Sequence, residues 1–231
     1  MLIEKKCFTD KKNEEITTEL RELLTPYFKH NKIKSKEHLW FDGDSPDKMY
    51  FIKSGIVKIY DILPDGSTIT LYIFERNTLF GFMPFFDEEP YPAYAQVVKD
   101  SDISTISRKE FNKIIIKHPE LSLKLMKILS KRLRESMLKV SENNNKNTIS
   151  RVASMMVSLY LTKNKCYNKN QSYQIELTLP SYEIASYIGI TPETFSRNLK
   201  QLINKKIIKK IGKREYEIMN LDKLKEISSN Y

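Results

Sequence analysis

The sequence predicts an α+β chain built as an N-terminal β-barrel, one long dimerisation helix and a C-terminal winged helix-turn-helix. Three observations lead there. Between about Ile33 and Ser107, short runs of β-branched and aromatic residues are broken by turn sequences, which suits a barrel or sandwich. From Glu120 to about Asn144, apolar residues recur at helical spacing without interruption. After Pro180, two short amphipathic helices flank Gly189 and a lysine-rich hairpin follows. The parts are expected at 1–118, 119–145 and 146–231.

Composition bounds the function. The 231 residues are 40% hydrophobic and 11% aromatic, enough for real cores. Formal net charge is +10, unevenly placed: residues 146–231 hold 15 Lys and Arg against 7 Asp and Glu, and the first 145 hold 24 against 22. A positive field confined to the C-terminal third suits a polyanion partner, although lysine-favouring codon usage gives the same charge. Cys7 and Cys166 stand alone, without the spacing of a zinc site or a disulfide framework, so no metal is expected. The N-terminus lacks a signal-peptide stretch, and no run nears the roughly 18 apolar residues of a membrane span. These features predict a cytoplasmic protein. No phosphate-binding loop, nucleophile elbow or His-Glu-x-x-His motif is present, so an enzyme is not expected.

The elements follow in order. Ile16, Leu20, Leu23 and Leu24 predict one or two short helices over 13–30. Met49–Ile52, Ile56–Tyr60 and Ser67–Phe74 read as strands, with turns at 41–46, 53–55, 64–66 and 75–77. Arg108–Lys117 reads as a short helix, and Pro119 restarts the chain into the long one. There Met126, Leu129, Leu133, Ser136 and Val140 alternate steps of three and four, the spacing of a two-stranded seam. Leu121, Leu125 and Ile128 form a second stripe for the barrel. Residues 142–147 are polar and predict a hinge. Ile149 to about Leu161 reads as a helix, 162–172 as a polar loop and Tyr173–Leu177 as a strand.

Ser181 to Ile188 predicts the first helix of the pair, capped by Ser181, with Ile184, Ala185 and Ile188 inward. Thr191 before Pro192 starts the second, whose buried stripe is Phe195, Leu199, Leu202 and Ile203. Thr191, Glu193, Thr194, Ser196, Arg197 and Lys200 are left for duplex DNA. Arg197 can fork two bonds to guanine O6 and N7, Glu193 can accept from a cytosine amino group, and Lys200, Lys205 and Lys206 suit phosphates. A simple Glu193–Arg197 surface ion pair is the competing reading. Ile207, Ile208, Ile211, Tyr216 and Ile218 around Gly212 predict a hairpin wing.

From Phe41 to Asn220 this order of parts resembles the Crp–Fnr regulators, the family of the cyclic-AMP receptor protein and the fumarate-nitrate-reductase regulator. The resemblance is carried by the turns at Gly43, Gly55, Gly66 and Gly81, by Lys131-Arg132-Leu133 and by Glu193-Thr-Phe-Ser-Arg197. It implies a cyclic-nucleotide-binding-like barrel that senses an effector, a homodimer, a palindromic promoter site and RNA polymerase as a partner. Glu193, Ser196 and Arg197 match the three base-reading positions of the Fnr branch, which implies TTGA-like half-sites. Thr191-Pro-Glu-Thr-Phe-Ser-Arg197 is also similar to regulators answering nitric oxide and anaerobic respiration.

The family's nucleotide cassette uses a glutamate for the ribose and an Arg-Ser pair for the phosphate; here those positions read Phe82, Pro92 and Ala93. A buried phosphate without a cation is costly, so cyclic AMP is not expected. Nor can two cysteines hold an iron–sulfur cluster, which takes about four. What remains is an apolar pocket of Ile59, Leu71, Tyr72, Phe82, Met83, Pro92 and Ala93, closed by Ser136 and Met137, for an apolar effector or for none. The alternative is haem, in a gas-sensing protein driving the same DNA-binding domain, with His30, His38, Met49 and Met83 as axial candidates.

Overall fold

The computed structural model describes residues 20–166 and 173–229, without the side chains of 142–145 and 163–166. Cys7, Ile16, loop residues 167–172, and the side chains of Cys166 and of hinge residues 142–145 lie outside the described residues. Two compact units divide within the long helix, after Glu135.

In the first unit a short helix α1 at 20–24 runs into a 3₁₀ turn at Thr25–Tyr27. Pro26 sits in that turn and Phe28 is already extended, so the expected helix stops early and His30 falls in strand β1, Lys29–Ile33. Strands β2 (His38–Trp40), β3 (Lys48–Ile62), β4 (Thr68–Phe74), β5 (Thr78–Phe80) and β6 (Tyr94–Ser107) complete an antiparallel six-stranded sheet. Its backbone order is β1-β6-β3-β4, with β2 on β6 and β5 on β3. Between β5 and β6 lies a one-turn helix, α2, Pro84–Asp87.

The expected turn at Lys53-Ser54-Gly55 is instead a bulged stretch inside one 15-residue strand, with register shifts from Ile52 to Val57. Gly55 makes this workable. Its φ is +101°, and a Cβ there would lie under 3 Å from Ser101 of β6.

Two apolar clusters fill this unit. One joins Met49, Phe51, Phe82 and Phe111 to Leu121 and Leu125; the other centres on Trp40, Tyr50, Val57, Phe80 and Ala95. Each such large side chain contributes about 1.5–3 kcal/mol by leaving water. Helix α3, Arg108–Lys117, starts at a capping box in which Ser107 and Glu110 satisfy each other's backbone N–H. Helix α4 then runs from Glu120 to Asn145.

The second unit packs α5 (Thr148–Cys166) against α7 (Pro192–Asn204) and α8 (Leu221–Ser229). Helix α6 is Ser181–Tyr187. A small sheet orders β7 (Gln174–Glu176), β9 (Glu215–Ile218) and β8 (Ile208–Lys210). Helix α8 has no counterpart in the expected elements. Asn220 Oδ1 accepts from the Lys223 backbone N–H at 2.9 Å, and Leu224 and Ser228 are buried.

Candidate nucleic-acid interface and sensor residues

Helix α6 begins after Pro180, and Ser181 is its first helical residue, so the expected serine cap does not form. Ile184 and Ala185 are buried as its inner face. The chain then turns at Gly189, φ +68°, where the Ile190 N–H donates to the Ala185 carbonyl at 3.0 Å. Arg151 Nη1 donates to the Gly189 carbonyl at 3.0 Å and so ties the turn to α5.

Helix α7 is capped by Thr191, whose Oγ1 accepts from the Thr194 N–H at 3.2 Å, with Pro192 in the first turn. Phe195, Asn198, Leu199 and Leu202 are buried beneath it; Ile203 is only half-buried, and Asn198 takes a place in the inner face that apolar pattern alone does not assign. Thr191, Glu193, Ser196, Arg197 and Lys200 are exposed and Thr194 half-buried, all on one helix. Arg197 Nη2 donates to Thr194 Oγ1 at 3.4 Å, and no ion pair joins it to Glu193 among the described residues. Glu193 and Arg197 therefore keep their polar ends available. Beyond α7, exposed Lys205 and Lys206 lead into the β8–β9 hairpin, which carries exposed Lys209, Lys210, Lys213 and Arg214.

Helix α4 has two apolar faces. Leu121 and Leu125 are buried, and Ile128 and Leu129 pack on the same cluster. Leu123, Met126, Leu133, Met137 and Val140 are each more than half exposed. Leu129 thus leaves the expected seam for the barrel side, because it lies one turn beyond Leu125. Ser136 is half-buried. Met137 is exposed, like the other members of the stripe.

The other expected pocket residues differ in burial. Ile59 faces Tyr72 across β3 and β4, with Leu71 half-buried beside them. Phe82 is fully buried in the cluster with Phe51 and Phe111. Met83 and Pro92 face solvent, and Ala93 is buried, its carbonyl accepting from Trp40 Nε1 at 2.9 Å.

Residues 30–118 match the cyclic nucleotide-binding domain, and residues 150–227 match the Crp-like helix-turn-helix domain. The chain belongs to the Crp–Fnr family. This Crp–Fnr chain is 25% identical over 194 residues to the "Anaerobic regulatory protein" of Bacillus subtilis (strain 168), covering 84% of itself and 81% of that protein. It is also 25% identical over 207 residues to the "Cyclic AMP receptor protein" of Thermus thermophilus, covering 90% of itself and 91% of that protein. The solved structure of FixK2 from Bradyrhizobium japonicum shares the fold at 20% identity and a TM-score of 0.74, over 88% of this chain and 98% of that one. The family is one of transcription regulators, not of enzymes.

Within this Crp–Fnr barrel a cyclic nucleotide does not fit. Buried Phe82, exposed Pro92 and buried Ala93 offer neither a ribose acceptor nor a phosphate cation at the cassette positions. The four axial candidates for haem lie in different settings. His30 Nδ1 is hydrogen-bonded to Ser104 Oγ at 2.8 Å and His38 Nε2 to Tyr60 Oη at 3.0 Å, Met49 is sealed in the core, and Met83 faces solvent. No group of His, Cys, Asp or Glu among the described residues is placed to hold a metal ion. No helix among them is long and apolar enough to cross a membrane.

Arg132 is the residue that pattern reading missed. It follows Leu121, Leu125 and Ile128 at helical phase, so it turns toward the barrel. Its Nη2 donates to the Leu79 carbonyl, and its guanidinium lies 4.7 Å from the centre of the Phe74 ring and 5.5 Å from that of Phe82. Burial brings its pKa down to about 10, against the opposing pull of Tyr72 and Glu135, although part of the side chain still meets solvent.

Proposed function

We propose that this Crp–Fnr protein is a homodimer that binds a palindromic promoter site with TTGA-like half-sites, gated by an effector other than cyclic AMP. The division of labour follows the sequence: a sensing barrel over 1–118, a dimerisation helix and hinge over 119–145, and a DNA-binding domain over 146–231. The observation that carries the reading is Arg197, exposed on a capped helix and unpaired with Glu193 among the described residues. A major-groove helix presents its N-terminal residues to base edges, and Arg forks guanine there. Lysines on α7 and in the wing supply phosphate contacts, which position the helix and add affinity.

Dimerisation rests on the exposed stripe of α4. Leu123, Met126, Leu133, Met137 and Val140, with Ser130 between, follow steps of three and four. Two copies paired there set two recognition helices about 34 Å apart, one turn of DNA. An effector in the barrel changes the set of α4, and rotation at the hinge near Asn143 changes that spacing. RNA polymerase is the further partner that such a promoter-bound regulator engages. Anaerobic or nitrosative stress is the proposed setting, supported by the Thr191–Arg197 wording and by the name of the Bacillus subtilis relative.

The test is selection of bound duplexes from a random library by the full-length protein. Two TTGA-like half-sites in inverted repeat, with centres about 10 base pairs apart, are expected. Enrichment of single, unpaired half-sites or of no sequence overturns the reading.

A further inference from the structure

We infer that Arg151 is a positioning residue for the recognition helix: it fastens the α6–α7 turn to the frame of α5 and so fixes the pose in which α7 meets base edges. This rests on the reading of α7 as the DNA-reading helix. It names a residue that sets the specificity of that helix without touching a base.

Two carbonyls outside the helices converge on this one guanidinium. Arg151 Nε donates to the Lys146 carbonyl at 3.1 Å, and Nη1 donates to the Gly189 carbonyl at 3.0 Å. Lys146 lies just before α5. The Ser150 N–H, four residues on, donates to the Asn147 Oδ1 cap at 3.0 Å, so the helix ladder leaves the Lys146 carbonyl to Arg151. Gly189 lies between α6, which ends at Tyr187, and α7, which begins at Pro192. Its own N–H and that of Ile190 turn back onto the Ser186 and Ala185 carbonyls. A planar guanidinium holds two such acceptors in fixed directions, which the single ammonium of a lysine does not.

The Lys146 end is itself held. Lys146 Nζ donates to Ser154 Oγ at 2.9 Å, and Ser154 Oγ donates to the Ser228 carbonyl of α8 at 3.2 Å. Arg151 therefore ties the turn to a frame of α5 and α8. Thr191, the cap of α7, follows Gly189 by two residues, so any shift of the turn carries Glu193 and Arg197 with it. A forked contact to guanine needs its arginine placed to within about 0.5 Å. Direct contact with a phosphate is the rival role for Arg151, and it differs in salt dependence.

Full-length wild type, Arg151→Met and Arg151→Lys are compared in two measurements. Hydrogen–deuterium exchange without DNA follows the amides of 186–194, so its outcome does not depend on the DNA-binding reading. Arg151→Met is expected to exchange there about 10-fold faster than wild type, with the amides of α8 unchanged. Arg151→Lys keeps the charge without the fork and is expected to exchange nearly as fast; where Arg151→Met does not fold, this variant decides. Fluorescence anisotropy on an inverted-repeat TTGA duplex and its scrambled counterpart reads the consequence. Both variants are expected to lose about 10-fold of the preference for the repeat, with the affinity for scrambled DNA and its salt slope at wild-type values. Unchanged exchange over 186–194 overturns the proposal, whether or not wild type discriminates the duplexes. Equally faster exchange in α8 makes the loss one of general stability and also overturns it. Where wild type discriminates, an undiminished preference in Arg151→Lys overturns it too. A salt slope lowered by about 1 in Arg151→Met makes Arg151 a phosphate contact instead.

Discussion

The ammonium of Lys139 stands 4.0 Å from the centre of the Tyr187 ring, joining the late turns of α4 to the first helix of the helix-turn-helix. The contact bypasses the hinge in sequence: it links residues on either side of 142–147. Cation–π pairs of this kind are worth about 0.5–2 kcal/mol, depending on how far they are desolvated. A double-mutant cycle with Lys139→Met and Tyr187→Leu is expected to return about 0.5–1 kcal/mol of coupling in urea unfolding. Strict additivity would show that the contact carries no energy.

The two faces of α4 separate by mutation. Leu133→Glu places charge on the exposed stripe and is expected to halve the mass seen by light scattering, with little loss of secondary structure. Leu129→Ala works on the other face, against the barrel cluster. It is expected to cost about 2 kcal/mol of stability and to leave the mass unchanged. An unchanged mass for Leu133→Glu removes this stripe as the seam.

Lys200 is exposed on α7, one turn beyond Ser196 and toward the phosphate side of the proposed complex. Lys200→Ala is expected to weaken binding to every duplex by a similar factor and to lower the slope of log affinity against log salt by about 1. A loss confined to one sequence would make Lys200 a base reader.

Alkaline pH strains the barrel through two phenols. Burial raises Tyr50 to about 12 and pushes Tyr91 higher still; Tyr91 Oη donates to the Lys48 and Gly81 carbonyls at 2.8 and 3.0 Å. Below pH 10 both phenols are neutral folded or unfolded, and their contribution is intact. Above pH 10 the unfolded chain ionises them while the folded chain does not, so stability falls by about 1.4 kcal/mol per pH unit for each. Arg132 acts with the opposite sign in this window, since its folded pKa, about 10, lies below its ordinary value. Two phenols against one guanidinium leave a net fall. Absorbance at 295 nm during unfolding at pH 10–12 is expected to show two tyrosines ionising only with the loss of structure; ionisation of both before unfolding contradicts it.

The DNA-binding half was legible because its signals are local. Pro192 after a capping Thr191, Gly189 in the turn and the isoleucines around Gly212 each fix a short piece of backbone. The barrel was less so. Its long strands pair across wide sequence separations, and Gly55 marks a bulge in a continuous strand with the same residues that mark a turn. Helix α8 escaped because it is short and only Leu224 and Ser228 are buried in it. Arg132 escaped for another reason: apolar periodicity ignores a charged residue on an inward phase, even where aromatic rings and a carbonyl receive it.

The proposed recognition of DNA depends above all on base contact by Arg197. It is tested most directly by fluorescence anisotropy of wild type and Arg197→Ala on an inverted-repeat TTGA duplex and on its scrambled counterpart, in the same salt. Wild type is expected to prefer the repeat, and Arg197→Ala to lose about 1–3 kcal/mol of that preference per half-site while still binding scrambled DNA as wild type does. The same preference in both proteins would contradict the account.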